Sequence, residues 1–188
     1  MTKNNMIIFS APSGSGKTTI INHLLRKGFP IEFSISATTR LPRGNEKHGV
    51  EYYFLSLNDF KARIERDEFI EYEEVYENRF YGTLRSECER IWNKGKTIVF
   101  DVDVAGGIRL KELFGDNALA LFIQLPSLDE LEKRLRERGT DCEEEIAQRL
   151  EKASYEIGFS YMFDEVIVNE NLDSACKHAE QLVNKFLK

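Results

Sequence analysis

The sequence predicts an α/β fold, in which a parallel sheet flanked by helices carries a smaller mixed β-sheet as an insertion. Three observations lead to this prediction. Short apolar runs alternate with helix-like segments over residues 1–30 and 95–188, which is typical of strands buried between helices. Residues 32–82 instead alternate apolar and polar side chains, as half-exposed strands do. A glycine-rich turn joins the first apolar run to the first helix.

The composition excludes several classes of protein. The chain has 188 residues, 41% of them hydrophobic and 31% charged, which suits one domain with its own core. A net charge of −6 argues against a nucleic-acid partner. The N-terminus lacks the layout of a signal peptide, and no apolar run approaches the about 20 residues that cross a bilayer, so we expect a cytoplasmic protein without a membrane partner. The three widely spaced cysteines predict reduced thiols.

The first elements carry the clearest motif. A strand is predicted over residues 6–10 and a helix from about residue 17, because apolar residues recur at helical spacing over 20–25. Between them, residues 11–18 fit G-x-x-x-x-G-K-[ST], with Ala11 in place of the first glycine. Glycines let successive backbone N–H groups face phosphate oxygens, and the helix adds its positive dipole end. The order strand, loop, helix predicts a P-loop NTPase-type fold that binds a nucleoside triphosphate.

Each side chain of this loop has an expected task. Lys17 reaches the outer phosphates, and the Thr18 hydroxyl can ligate Mg²⁺. The candidate residues for the triphosphate are Ala11, Pro12, Ser13, Gly14, Ser15, Gly16, Lys17 and Thr18.

The inserted region follows. Strands are predicted over 32–38, 50–55 and 69–76, and helices over 56–67 and 83–94. These elements would form the small mixed sheet.

This insertion contains a second group of candidate residues. Arg40 and Arg43 lie three residues apart in a predicted loop, a spacing that suits bidentate binding of a phosphate. Solvated loop charges fit the same pair. Tyr52 and Tyr81 fit a core or rim position as well as a ligand contact, and Glu71 belongs to an acidic strand that fits a solvent-facing edge.

After the inserted region, short apolar runs again alternate with helix-like segments. The first of these runs predicts a strand over 97–100, and Asp101 and Asp103 follow it. Ligands of open α/β sheets bind at the carboxyl ends of strands. A carboxylate there can hold Mg²⁺ through water or position an arginine, whereas Asp103 also fits the N-cap of the next helix.

The remaining strands are predicted over 118–125 and 166–168, and the remaining helices over 127–137, 143–155 and 172–187. Arginines and lysines concentrate between about 130 and 152, with Arg134 and Arg138 one helical turn apart. A surface helix laced with salt bridges is the alternative interpretation. The break near Gly139 between two charged helices resembles a mobile flap.

Taken together, these segments resemble the guanylate kinase family over nearly the whole chain, from 6 to 172. The specific parts are the phosphate loop, the segment 34–43 with its arginine pair, Val50-Glu51-Tyr52-Tyr53-Phe54, Phe69-Ile70-Glu71, Tyr81-Gly82-Thr83, Phe100-Asp101-Val102-Asp103, the segment 134–139 and Val166-Ile167-Val168-Asn169. After Asp103 the family often has a hydrophobic residue and then Gln-Gly, whereas this chain has Val104-Ala105-Gly106.

The resemblance implies ATP-dependent phosphorylation of GMP to GDP, with Mg²⁺ held by Thr18 and, through water, by Asp101. It implies a single domain with a core of about 1–31, 95–126 and 156–188, a GMP-binding insert of about 32–94 and a lid of about 127–155, working as a monomer or homodimer. The implied GMP-binding residues are Ser36, Arg40, Arg43, Tyr52, Glu71, Tyr81, Gly82, Thr83, Asp101 and Asp103. The implied catalytic residues are Lys17, Arg40, Arg134, Arg138 and Arg149, and Asn169 is implied in the adenine pocket.

Two alternatives remain open from the sequence. One is a nucleoside monophosphate kinase of other base specificity, against which Glu71 and Ser36 argue, because a carboxylate pairs well with the N–H donors of guanine. The other is an inactive guanylate-kinase-like module that binds phosphopeptides. Lys17, Thr18 and Asp101 count against it.

Overall fold

The computed structural model describes residues 4–139 and 141–188, apart from the side chain of Arg138. Within the described residues, no helix combines the length and the apolar character that a membrane crossing requires. All three cysteines carry free thiols, as expected.

In chain order the strands are β1 (Met6–Ser10), β2 (Ile31–Phe33), β3 (Ala37–Thr38), β4 (Tyr53–Phe54), β5 (Phe69–Tyr76), β6 (Arg79–Leu84), β7 (Thr97–Asp101), β8 (Ala118–Gln124) and β9 (Glu165–Val168). The helices are α1 (Lys17–Arg26), α2 (Leu57–Glu65), α3 (Arg85–Trp92), α4 (Val104–Phe114), α5 (Leu128–Arg138), α6 (Glu143–Ile157) and α7 (Leu172–Phe186). Short 3₁₀ turns occur at Gly115–Asn117 and Ser160–Met162.

The chain divides into two units. The insert unit consists of residues 4–5 and Pro30–Val99, and the loop unit of Met6–Phe29 and Phe100–Lys188.

Parallel strands form the centre of the loop unit. β1 pairs with β8, and β8 pairs with β9, all in parallel. Every residue of β1 is buried, as expected for a strand covered on both faces. The Val102 N–H, just after β7, donates to the Phe9 carbonyl of β1 at 3.2 Å. The carboxyl ends of β1 and β7 therefore lie side by side.

Side-chain caps fix where the helices of this unit begin. The Ser127 hydroxyl accepts the Glu130 N–H at 3.1 Å and caps α5. Asp103 accepts the Gly106 N–H at 2.8 Å and caps α4. A cap satisfies a backbone donor that the first helical turn leaves open. Asp103 therefore has the capping role that was one of its two interpretations, and its role towards a ligand stays a prediction.

Helices α5 and α6 pack on each other through their apolar faces. Leu131 and Leu135 of α5 and Ile146 and Ala153 of α6 belong to one buried cluster, with Leu125 at the end of β8. This cluster fixes the positions from which the arginines of both helices project.

The insert unit contains a mixed sheet in the order β4-β3-β6-β5. β3 runs parallel to β4 and antiparallel to β6, and β5 and β6 form an antiparallel pair. Helix α2 covers the sheet through Phe60, whose ring stacks on Phe69 with centroids 4.3 Å apart. Parallel strands between helices, together with a separate mixed sheet, confirm the predicted α/β class.

Three predicted elements of this unit were wrong in extent. The predicted strand 32–38 is two strands: β2 pairs with β7, and β3 joins the mixed sheet. The chain leaves one sheet for the other between them, where the Ser34 N–H bonds to the Val99 carbonyl (2.9 Å) and the Ile35 N–H to the Glu87 carboxylate (3.0 Å).

The other two differences also have local causes. The predicted strand 50–55 shrinks to β4, because the Val50 and Glu51 N–H groups turn back onto the Lys47 carbonyl. The predicted helix from Thr83 begins only at Arg85, since Thr83 still pairs with β5.

Candidate functional site

The phosphate loop, residues 11–18, joins β1 to α1 in the loop unit. Gly14 and Gly16 have φ angles of 97° and 92°, in the left-handed region that favours glycine. The Ser15 N–H closes a turn onto the Pro12 carbonyl at 3.2 Å. Gly16 caps α1, and Thr18 is exposed in its first turn. The loop thus presents backbone N–H groups at a helix N-terminus, the arrangement that binds phosphate.

Neighbouring side chains are a second reason why Gly14 and Gly16 have to be glycines. A Cβ on Gly14 would lie 3.0 Å from Leu131 Cδ1 and 3.2 Å from Leu135 Cδ2. A Cβ on Gly16 would lie 2.4 Å from Asn169 Nδ2. The loop is therefore packed against α5 and the end of β9.

Lys17 contacts the carboxyl end of β7. Its ammonium group forms an ion pair with Asp101 and lies 3.3 Å from the Val102 carbonyl oxygen. Both charged groups are largely shielded, with 17% of the Lys17 and 25% of the Asp101 side chain exposed. The pair keeps the ammonium at the loop, where a bound phosphate would meet it.

Arginines from α5 and α6 converge on the same place. Arg134 donates to Glu130 at 3.0 Å and to the Asn169 carbonyl at 3.2 Å. Arg149 donates to the Ser13 hydroxyl of the loop at 2.6 Å and to Asp141 at 3.2 Å. The side chain of Arg138, the third predicted arginine, lies outside the described residues.

A cleft of about 870 Å³ connects these groups. The loop, Asp101, Asp103, Arg134 and Arg149 all line it, so most of the residues predicted for the triphosphate meet in one place. Lys152 and Glu156 of α6 also line the cleft.

Glu156 is buried, with only 7% of the residue exposed. Burial raises its pKa, and the nearby Lys152 partly opposes the shift. Sequence reasoning missed this residue, although its spacing from Arg149 and Lys152 puts all three on one face of α6.

Asn169 lies against the loop as a buried side chain. It is 2% exposed, and its amide donates to the Ser15 carbonyl at 2.7 Å.

The donor set of the cleft suits a hard cation. The Thr18 hydroxyl and the carboxylates of Asp101 and Asp103 supply oxygen atoms, the ligands that Mg²⁺ prefers. Among the described residues, no group of three or more His, Cys, Asp or Glu side chains is arranged to hold a metal ion. Mg²⁺ usually takes one or two protein ligands and completes its shell with phosphates and water.

A second cluster forms in the insert unit around Arg40. The guanidinium of Arg40 binds Glu46 through two hydrogen bonds of 2.7 and 2.9 Å and lies 5.1 Å from the ring centroid of Tyr52 and 5.7 Å from that of Phe54. The rings of Tyr52 and Tyr81 meet edge to face at 6.0 Å. We call Arg40, Glu46, Tyr52, Phe54 and Tyr81 the Arg40 cluster.

Electrostatics explain how this cluster is held. Arg40 is 9% and Glu46 23% exposed, and their hydrogen bonds raise the pKa of Arg40. Hydrogen bonds from Arg40 and from the Arg43 backbone N–H lower the pKa of Glu46 to about 2. The Arg43 side chain is exposed beside the cluster. Sequence reasoning missed Glu46, since a pairing six residues apart in a loop has no periodic signature.

Glu71 and Thr83 face each other across β5 and β6. They are partners in the strand register, and the Thr83 hydroxyl donates to Glu71 Oε1 at 2.8 Å. Gly82 permits this close pairing, because a Cβ there would lie 2.7 Å from the Glu71 carbonyl oxygen. Ser36, also predicted here, immediately precedes β3, and its carbonyl accepts the Tyr53 N–H at 2.9 Å.

Comparison with known proteins identifies the family. The family model described as "Guanylate kinase" matches residues 3–186. The curated guanylate kinase of Bacteroides fragilis is 56% identical over 97% of this chain and 89% of its own length. That of Porphyromonas gingivalis is 50% identical over 100% of this chain and 99% of its own.

Among solved structures, guanylate kinase from Anaplasma phagocytophilum superposes with a TM-score of 0.75 at 29% identity, over 98% of this chain and 87% of that one. Because both the family model and close relatives cover nearly the entire chain, this protein belongs to the guanylate kinase family.

Proposed function

We propose that this chain catalyses the ATP-dependent phosphorylation of GMP to GDP. The observation that carries the proposal is that a chain matched by the guanylate kinase family model over residues 3–186 has charged side chains at both candidate sites. Lys17 is paired with Asp101 in the loop unit, and the insert unit contains Arg40, paired with Glu46, and Glu71, bonded to Thr83.

The phosphate loop would bind ATP. Its backbone N–H groups and the N-terminus of α1 would attract the triphosphate. The Lys17 ammonium group, now paired with Asp101, would bind the outer phosphates. The Thr18 hydroxyl, with Asp101 through water, would hold Mg²⁺, which neutralises phosphate charge when bound. Asn169 would lie near the adenine.

The Arg40 cluster would bind the phosphate of GMP. A guanidinium flanked by tyrosine rings and hydroxyls suits a phosphate, and Arg43 is exposed on the same turn. Glu71, Thr83 and Ser36 would contact the guanine, with Gly82 permitting the strand pairing, and Asp101 and Asp103 would lie near the transferring group.

Transfer then requires alignment and neutralisation of charge more than proton chemistry. The attacking oxygen belongs to a phosphate that is already an anion, so no general base is needed. Arg134, Arg138 and Arg149 would stabilise the charge of the moving phosphoryl group. The lid of about 127–155, the cytoplasmic location and the monomer or homodimer state stay predictions.

A coupled assay tests the proposal. The purified protein, ATP and Mg²⁺ are combined in turn with GMP, AMP and dTMP. We expect GDP to form, with kcat/KM for GMP above that for AMP by a factor on the order of 10⁴, because a site built to hydrogen-bond guanine leaves buried groups unpaired with adenine. Equal rates with AMP or dTMP would favour a kinase of other base specificity. No turnover with any acceptor would favour the phosphopeptide-binding alternative.

A further inference from the structure

Asn169 makes its contacts at the point where β9 ends. Its backbone N–H donates to the Gln124 carbonyl of β8 at 2.7 Å, which continues the strand pairing by one residue. Its side-chain amide donates to the Ser15 carbonyl at 2.7 Å, and this hydrogen bond is buried. The sheet thus fixes the residue that reaches the phosphate loop.

The hydrogen bond sets the orientation of one peptide group. The bond between Ser15 and Gly16 is trans, so its carbonyl and its N–H point in opposite directions. Holding the Ser15 carbonyl towards Asn169 therefore turns the Gly16 N–H away from Asn169. Gly16 itself lines the cleft and is the N-cap of α1, so this N–H is one of the donors that a phosphate would use.

The contact between Asn169 and the phosphate loop leaves no room for a side chain at Gly16. Any Cβ at this position would come within 2.4 Å of Asn169 Nδ2. The orientation of the Asn169 amide is fixed as well, since only its nitrogen can donate to a carbonyl. Its oxygen is buried without a partner among the described residues. Such an oxygen costs free energy, so stability alone does not explain an asparagine here.

The same residue also holds a catalytic candidate. The carbonyl of Asn169 accepts a hydrogen bond from Arg134 at 3.2 Å. Asn169 therefore connects the end of the sheet to the loop through its side chain and to α5 through its backbone.

We propose that Asn169 is a positioning residue of the phosphate loop, which orients the Gly16 N–H towards the polyphosphate whatever base the nucleotide carries. The inference rests on the proposed function in that the loop is taken to bind the phosphates of the donor. This positioning role differs from a contact with adenine, because Asn169 should then contribute as much to the binding of a polyphosphate without a base as to the binding of ATP.

The variant Asn169→Asp tests this role with almost no change of shape. It replaces the donor by a carboxylate oxygen that repels the Ser15 carbonyl and leaves the peptide free to rotate. We expect the affinity for tripolyphosphate with Mg²⁺, measured by calorimetry, to fall about tenfold or more, the loss expected for a buried hydrogen bond. The affinity for ATP should fall by the same factor, with KM for GMP within about twofold of wild type.

Asn171→Asp is the matched control. It adds the same charge two residues away, where Asn171 caps α7 by accepting the Ser174 N–H at 3.0 Å. Aspartate caps a helix as well as asparagine, so binding of tripolyphosphate should stay unchanged. Asn169→Ala, which removes the donor without adding charge, serves if Asn169→Asp does not fold, and GMP binding checks the fold of each variant.

Two outcomes would overturn the proposal. One is tripolyphosphate affinity within about twofold of wild type in both Asn169 variants while ATP affinity falls, because the residue then acts on the base. The other is unchanged affinity for both ligands. A wild-type protein that binds tripolyphosphate but forms no GDP would instead contradict the proposed function and leave the role of Asn169 standing.

Discussion

The anion sites proposed for the two units of this protein are built by different means. In the loop unit, the donors are backbone N–H groups, fixed by two glycines in the left-handed region and by contacts from Leu131 and Asn169. In the insert unit, the donors are side chains, and a carboxylate, Glu46, holds the central guanidinium in place. A backbone site is thus ordered by packing, whereas a side-chain site is ordered by charge. Substitutions should affect the two sites in different ways.

The largest effect is expected from Lys17→Met, which keeps the length of the side chain but removes the ammonium charge from the phosphate loop. We expect kcat to fall by about 1,000-fold or more, because the charge that stabilises the transferring phosphoryl group is lost. Steady-state kinetics measure this loss. Lys185→Met, the same change on the exposed face of α7, is the control and should leave kcat unaltered. A variant that retains a tenth of the wild-type turnover would contradict the assignment of the loop.

Glu71→Gln should affect the insert unit alone. An ionised Glu71 can accept both N–H donors of guanine, whereas the glutamine amide turns one acceptor into a donor. We expect kcat/KM for GMP to fall by about 100-fold, with KM for ATP unchanged and the preference for GMP over AMP reduced. Glu74→Gln on the same strand is the matched control. Unaltered GMP kinetics would mean that the guanine contact lies elsewhere.

Glu46→Gln tests whether charge orders the Arg40 cluster. The variant keeps an acceptor but loses the ion pair, so Arg40 should sample other rotamers, and we expect KM for GMP to rise about tenfold with a smaller change in kcat. Glu51→Gln is the control, because the hydrogen bond of Glu51 comes from a backbone N–H, that of Lys47 at 2.6 Å, and not from Arg40. An equal rise of KM in both variants would indicate a general loosening of the loop.

The smallest effect concerns a carboxylate outside both sites. Burial disfavours the charged form of Glu32, but hydrogen bonds from Lys94, Lys96 and Arg90 outweigh it and lower its pKa to about 2. A lowered pKa stabilises the fold above the ordinary value near 4.5, and this contribution disappears as pH falls through about 2. We expect Glu32→Gln to lower Tm by about 2–4 °C at pH 7 and to leave kinetics unchanged.

Thermal melts from pH 7 to pH 2 check the sign of that effect. The difference in Tm between wild type and Glu32→Gln should shrink below pH 4.5. A difference that stays constant down to pH 2 would contradict the role of the carboxylate charge.

The loop site could be predicted from the sequence because its geometry is local. Two glycines separated by one residue, followed by a lysine and a threonine, specify the turn, and Asp101 was expected from the strand before it. The same reasoning left Asp103 open between ligand and cap, because both roles need a carboxylate at one position. The burial of Asn169 could not be foreseen, since it depends on where β9 ends relative to the loop.

The insert unit was less predictable, for physical reasons. The alternating pattern predicts a single strand over 32–38. In the structure the chain passes from one sheet to another at Ser34 and Ile35, inside that range. Their hydrogen bonds go to Val99 and Glu87, far along the chain. Likewise, the partner of Arg40 depends on how a loop folds back, and residue spacing carries no such information.

The pairing of Arg40 with Glu46 has a consequence for selectivity. The carboxylate of Glu46 already balances the positive charge of Arg40. Electrostatic attraction alone therefore adds little to the affinity of this guanidinium for an anion. Inorganic phosphate and sulfate, which have nothing else to offer, should therefore compete poorly for the site. A nucleotide can add contacts along β5 and β6, far beyond the reach of the ion pair. If the Arg40 cluster binds GMP as proposed, Glu46 would therefore favour ligands that bring a base as well as a phosphate.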